Sequence, residues 1–218
     1  MKNLERFGIA GRDYPDMKMA RGYTYTAKDG SFPSTNLACD ENPYVDVVEN
    51  AKYILDFGCG VGRNLPWIME NTEAHYYGLD PNEDMHKYFW EVQRSEGNPV
   101  EEWQSRVTLV RSFDEIIDGI EFDCVVSTFV LQHLGYRFDM PGRMNLTDIG
   151  NEILTRLREG GILWALEHDS EERWIERWLK ETGIKLDVYI RTYKGLEELT
   201  HRDHAAPRGG NHLMIFKK

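Results

Sequence analysis

The sequence predicts an open α/β fold: a mostly parallel, seven-stranded sheet with helices on both faces. Three observations carry this. Seven short apolar or alternating runs are spread along residues 52–216. Segments of helical period separate most of them. The first run ends directly in a glycine cluster, Gly58, Gly60 and Gly62.

In chain order, Lys52–Phe57 is a buried strand, and Leu65–Glu70 a helix that tolerates Pro66 in its first turn. His75–Leu79 is the second strand. The next helix gathers Met85, Phe89 and Val92 on one face. Arg106–Val110 and Phe122–Ser127 are the third and fourth strands, with β-branched Val125 and Val126 inside the latter. Leu146, Ile149, Ile153 and Leu157 keep helical spacing, and the helix is expected to stop at Gly160-Gly161. Ile162–Leu166 is the fifth strand. Glu171–Lys180 is a helix with Trp174, Ile175, Trp178 and Leu179 on one side, and Asp169 or Ser170 is its expected cap. Lys185–Arg191 and His212–Phe216 are the last strands. No full helix separates them, so they are free to pair antiparallel around the segment Gly195–Gly210.

Two regions are expected. Residues 1–42 are rich in Gly, Asp, Tyr and Met without sustained period, and read as a loop-rich N-terminal arm. Its aromatics Tyr14, Tyr23, Tyr25 and Phe32 suit either a lid over the site or ordinary packing. Residues 43–218 form the α/β domain.

Bulk properties exclude several classes. The chain has 218 residues, enough for one domain with a full core. No apolar run approaches the roughly 18 residues that span a membrane, and Met1–Arg6 shows no secretory pattern. Cys39, Cys59 and Cys124 are far apart, so neither a disulfide framework nor a zinc knuckle is indicated. A reducing, cytoplasmic setting is expected. The net charge of −11 disfavours nucleic acid as partner. His201, Asp203, His204 and His212 lack a convincing metal-ligand pattern. With Arg202 and Arg208 they fit the frame of a substrate pocket better, and no metal is expected.

The chemistry concentrates at Asp56-Phe57-Gly58-Cys59-Gly60-Val61-Gly62. Glycines between a strand and a helix let the backbone approach a ligand closely, and the helix start offers free N–H groups. A dinucleotide fingerprint needs its third glycine one residue later. That position holds Arg63, whose bulk opposes close helix–strand packing. Asp56 would repel a pyrophosphate and suits a ligand carrying an ammonium group. Asp80, in Gly78-Leu79-Asp80-Pro81, lies where an acidic residue grips ribose hydroxyls; capping of the following helix is its competing role.

At these residues the chain resembles the class I methyltransferases that use S-adenosylmethionine. Ile54–Gly62 looks like their first motif, and Gly78-Leu79-Asp80 like their ribose motif. Phe122–Ser127, continuing to Val130-Leu131-Gln132-His133-Leu134, looks like their fourth-strand motif. Leu157–Leu163 resembles the lead into their fifth strand. The resemblance spans about residues 50–168. It implies a seven-stranded sheet with the last strand reversed. It also implies that Gly58 to Gly60 face the methionine part of the cofactor, and that S-adenosylhomocysteine is the product. Ser112 and Phe113 would flank the adenine, with Phe113 free to stack on it. Ser127, Thr128 and Phe129 would face the methyl-donor end. Cys59 within the first motif, and Asn64, Pro81 and Met85 beside the motifs, complete the expected cofactor set.

The acceptor is less legible. Methyl transfer needs mainly positioning and desolvation, and a base only where the acceptor must lose a proton. Nucleic-acid amino methyltransferases of this fold place Asn/Asp-Pro-Pro-aromatic after the fourth strand, where this chain has Ser127-Thr128-Phe129-Val130. A small-molecule acceptor, methylated on oxygen or nitrogen, is therefore expected. His133 and His168 are the candidate catalytic residues, both near carboxyl ends of strands, where ligands bind in such sheets. Glu167 is expected to point away from His168. The competing readings are a non-catalytic protein that binds the same cofactor and a nicotinamide-dependent oxidoreductase.

Overall fold

A computed structural model describes residues 14–24, 32, 34–131, 146–168, 174–190 and 211–218. The helices are α1 (Met17–Tyr23), α2 (Val45–Glu49), α3 (Leu65–Asn71), α4 (Glu83–Ser95), α5 (Val100–Trp103), α6 (Leu146–Arg156) and α7 (Trp174–Thr182). The strands are β1 (Tyr53–Phe57), β2 (His75–Leu79), β3 (Val107–Val110), β4 (Phe122–Thr128), β5 (Leu157–His168), β6 (Val188–Ile190) and β7 (Asn211–Lys217). They form one sheet in the order β3-β2-β1-β4-β5-β7-β6. Strands β1 to β5 pair in parallel, and β7 runs antiparallel to both β5 and β6. The expected mostly parallel, seven-stranded fold with a reversed last strand is thus the observed one.

Alternation along the strands divides the core. On one face Leu55, Phe57, Val125, Leu163 and Ala165 pack with Ile149 and Ile153 of α6 and with Trp174 and Trp178 of α7. On the other face Ile54, Val126, Ile162, Trp164 and Leu166 pack with Val48, Leu65 and Ile68. Both faces are covered, as a parallel sheet requires. The sheet order reverses direction between β1 and β4, and the carboxyl ends of these two strands open the crevice where such folds bind ligands.

Two expectations need correction. The helix expected to stop at Gly160-Gly161 ends at Arg156, and Leu157–Gly161 already belong to β5. Leu157 is buried together with Leu146, Ile149 and Ile153, so the apolar period runs on past the helix. The β4–β5 register shifts between Phe122 and Cys124 to absorb the extra residues. The N-terminal arm, read as loop-rich without a helix, contains the short α1. Asp16 caps it, its Oδ1 accepting from the Met19 N–H at 2.8 Å. Seven residues are too short for a visible helical period.

The arm packs on the outer side of α4. Tyr14, Ala20 and Phe32 form a small separate core with Val61, Met85, Tyr88 and Val92. Tyr14 N–H donates to Asp84 Oδ2 at 2.8 Å, Tyr88 OH donates to Pro15 O at 3.0 Å, and Arg21 pairs with Glu96 at 2.5 Å. Tyr25 lies outside the described residues.

Candidate functional site

The glycine loop leaves β1 at Phe57 and is pinned to β2 at once: Gly58 and Cys59 N–H both donate to Leu79 O, at 2.7 and 3.1 Å. Gly58 has φ 74°, and a Cβ there would lie 2.3 Å from Val130 Cγ2. Gly62 has φ 88°, and its Cβ would meet the Phe89 ring at 2.7 Å. At both positions only glycine combines the left-handed backbone with the close approach. Gln93 of α4 reinforces the loop, its Nε2 donating to Val61 O at 2.6 Å and Gly62 O at 3.1 Å.

Two carboxylates flank this loop, Asp56 at its start and Asp80 at the end of β2. Asp56, 1% exposed, accepts from Tyr76 OH at 2.7 Å and from Asn64 Nδ2 at 2.9 Å. Burial raises its pKa to about 6, with Tyr76 and Asn64 opposing the shift. Asp80 accepts from Gly60 N–H at 3.0 Å through Oδ2 and from Asn82 N–H at 2.8 Å through Oδ1. Burial raises its pKa to about 6 as well, against those two backbone bonds. The competing role for Asp80 falls to its neighbour: Asn82 Oδ1 caps α4, accepting from Asp84 and Met85 N–H.

Asn64 stands at the cap position of α3, yet its side chain makes no capping bond. It bridges Asp56 and Thr128 instead, Nδ2 reaching Thr128 Oγ1 at 3.4 Å. Its Oδ1 is buried without a hydrogen-bond partner from the protein. A buried acceptor left open beside a carboxylate favours a ligand that donates hydrogen bonds and carries positive charge. Arg63 is almost fully buried; its Nη2 donates to Thr24 O at 2.8 Å, and its Cζ lies 6.0 Å from the centre of the Phe129 ring. The side chain that displaces the dinucleotide glycine therefore ties the arm to the loop after β4. Thr24 completes that tie, its Oγ1 accepting from Val61 N–H at 3.5 Å.

The remaining expected residues divide. Cys59 is buried, its thiol pKa pushed up mainly by burial, and Met85 packs under the arm. Pro81 is half-buried, directly after Asp80. Phe113 does not present a free ring face for stacking on adenine. Its ring stacks on Phe57 at 5.8 Å between centres, and the Arg156 guanidinium lies 5.4 Å away. Ser127 turns into the core and donates to Glu167 Oε1 at 2.7 Å. Thr128 is half-buried, and Phe129 follows in the left-handed region at φ 58°. His168 ends β5 opposite Asn211. His133, the Asp169 and Ser170 caps, and the group His201, Arg202, Asp203, His204 and Arg208 lie outside the described residues. His212, expected with that group to frame a pocket, is described. It is buried, and its Nδ1 lies 3.0 Å from Tyr189 OH.

Sequence reading missed Tyr76, Gln93, Thr24 and Glu167. Glu167 points away from the face of Leu166, as alternation requires, but it is fully buried and bonds the β4 end. Nothing in a lone sequence separates these from ordinary strand and helix residues.

A reversing parallel sheet with a glycine turn after β1 and an acidic residue closing β2 defines a Rossmann-like cofactor-binding enzyme. The chain belongs to the methyltransferase domain family, which matches residues 55–163, from β1 into β5. It is an S-adenosylmethionine-dependent methyltransferase of the class I fold. Among solved structures it is similar to the N-methyltransferase NodS from Bradyrhizobium japonicum WM9 in complex with S-adenosyl-L-homocysteine. That pair has TM-score 0.55 and 12% identity, over 93% of this chain and 98% of the other. A putative sarcosine dimethylglycine methyltransferase from Galdieria sulphuraria aligns with TM-score 0.56 and 11% identity, over 80% and 81%. The cyclase SpnF aligns with TM-score 0.55 and 15% identity, over 80% and 79%. At these identities the likeness establishes the fold. No curated protein matches the sequence significantly.

Proposed function

We propose that the protein transfers the methyl group of S-adenosylmethionine to an oxygen or nitrogen of a small-molecule acceptor, with the cofactor held at the Asp56–Gly62 loop. The observation that carries this reading is the pair of carboxylates around the loop. Asp56, with the open Asn64 Oδ1 beside it, suits the cofactor's ammonium group. Asp80, at the end of β2, suits the ribose hydroxyls. The same charges oppose a pyrophosphate.

The cofactor supplies an electrophilic methyl group on a sulfonium. The chain's own residues orient and desolvate. Backbone at Gly58 and Gly60, with Cys59 and Gly62 shaping the turn, receives the methionine part. Pro81 and Met85 wall the ribose side. Backbone at Ser112 and Phe113 borders the adenine, since the Phe113 ring is engaged by Phe57 and Arg156. Thr128 and Phe129 bound the donor end. His133 and His168 are the proposed acceptor-side groups, one of them serving as base where the acceptor must lose a proton.

The small-molecule assignment is supported by Ser127-Thr128-Phe129-Val130 after β4 and by the net charge of −11, which opposes nucleic acid. Within the N-terminal arm, α1 and Thr24 act as a strap over the loop, through Val61 and Arg63. A cytoplasmic setting fits three buried cysteines that lie far apart in the sequence. Among the described residues no helix is long and apolar enough to cross a membrane.

The test is release of S-adenosylhomocysteine from S-adenosylmethionine in the presence of a fractionated metabolite extract, beside protein and RNA fractions. Turnover with the metabolite fraction is expected. Turnover only with protein or RNA overturns the acceptor class.

A further inference from the structure

Glu167 is fully buried near the carboxyl end of β5. One oxygen, Oε1, accepts three hydrogen bonds: from Ser127 Oγ at 2.7 Å, from Val130 N–H at 3.2 Å and from Leu131 N–H at 3.1 Å. A buried carboxylate is costly unless polar neighbours satisfy it, and all three donors belong to the chain as it leaves β4.

The register explains the meeting. Ser127 lies opposite Ala165 and Thr128 opposite Leu166, so Glu167 is one step further, level with Phe129. The backbone turns at Phe129, whose N–H is held by Leu166 O at 2.8 Å. A non-glycine residue in the left-handed region persists where its surroundings over-determine it. Glu167 and Leu166 provide that constraint from either side of the turn. Val130 then packs against Gly58, where even a Cβ would not fit. Contact therefore runs from β5 through the β4 exit to the glycine loop.

We propose that Glu167 is a positioning residue for methyl transfer: by holding Ser127, Val130 and Leu131 it fixes the Thr128–Val130 wall against Gly58 and so sets the place of the cofactor's sulfonium end. This rests on the reading that the cofactor lies at the glycine loop. Three donors on one rigid acceptor define the wall more tightly than packing alone, because each lost bond strands a buried polar group.

The test titrates S-adenosylhomocysteine into wild type, E167A, E167Q, V130A and D80A, with thermal unfolding of each. E167A is expected to bind roughly tenfold or more weakly. E167Q keeps an acceptor oxygen for the same three donors and is expected to stay within about threefold of wild type. V130A leaves the Glu167 bonds intact, removes the contact on Gly58, and is expected to weaken binding severalfold; it decides the matter where E167A fails to fold. Wild-type affinity in folded E167A, or E167Q as weak as folded E167A, overturns the proposal, as does wild-type affinity in V130A where E167A does not fold. D80A separates the premise: unchanged binding there means that the cofactor lies elsewhere, whereas weakened D80A beside unaffected E167A overturns the role of Glu167 alone.

Discussion

The Asp80 carboxylate accepts a hydrogen bond from the Gly60 N–H at 3.0 Å, joining the end of β2 to the middle of the glycine loop across 20 residues of sequence. One side chain thus shapes the loop and stands where ribose hydroxyls would arrive. Asp80→Ala is expected to weaken S-adenosylhomocysteine binding by about 1.5–3 kcal/mol, the worth of hydrogen bonds to a charged group. Asp80→Asn retains an acceptor for Gly60 and is expected to lose less. Calorimetry checks both, and unchanged affinity in the alanine variant removes Asp80 from the site.

Asp56 and Asp80 both titrate at about 6 in the folded chain, raised by burial. An unfolded aspartate titrates near ~3.9, so the folded state binds more protons between these values. The contribution of the pair to stability is therefore fullest below about pH 4 and is lost as pH rises through about 6. Ligand binding runs the other way: ribose hydroxyls donate to ionised Asp80, so affinity is expected to rise with pH through about 6 and then level off. Urea midpoints of wild type and the D56N/D80N double variant, compared at about pH 4.5 and 7.5, check the first. The double variant should lack the wild type's decline. Titrations over the same range check the second, and a flat affinity profile contradicts it.

Gly62 combines φ 88° with a Phe89 ring that a Cβ would meet at 2.7 Å. Gly62→Ala is expected to cost about 2–4 kcal/mol, from left-handed strain and overpacking together. Chemical denaturation measures it. A loss within about 0.5 kcal/mol, typical of an uncritical surface change, would mean that the loop and α4 separate easily.

Thr24 and Arg63 tie the arm to the loop, and Lys18 and Arg21 offer tryptic sites within α1. If the arm closes over bound cofactor, cleavage at these sites should slow severalfold at saturating S-adenosylhomocysteine. Mass spectrometry of the fragments over time checks this, and equal rates with and without ligand contradict a lid.

The parallel sheet and the cofactor class were legible because they rest on local signals. Gly58, Gly60 and Gly62 mark a turn, Asp56 lies in the last two residues of β1, Asp80 directly follows β2, and Val125-Val126 centre a strand. The helix stop before β5 was misplaced because Leu157 continues the apolar spacing of α6 while lying in a strand. Helix α1 was hidden by its length, although Asp16 marks its start. Phe113 illustrates a different limit: the sequence leaves its ring free to stack, and only the fold shows that Phe57 and Arg156 lie beside it. Tyr76 and Glu167 act on residues 20 and about 40 positions away, through pairing that a single sequence does not display.

The central claim is that the Asp56–Gly62 loop takes a sulfonium nucleoside rather than a dinucleotide. Parallel calorimetric titrations with S-adenosylhomocysteine and with NAD test it most directly. Saturable one-to-one binding of S-adenosylhomocysteine, weakened by Asp80→Ala, with no heat from NAD, is the predicted result. Binding of NAD without binding of S-adenosylhomocysteine would contradict it.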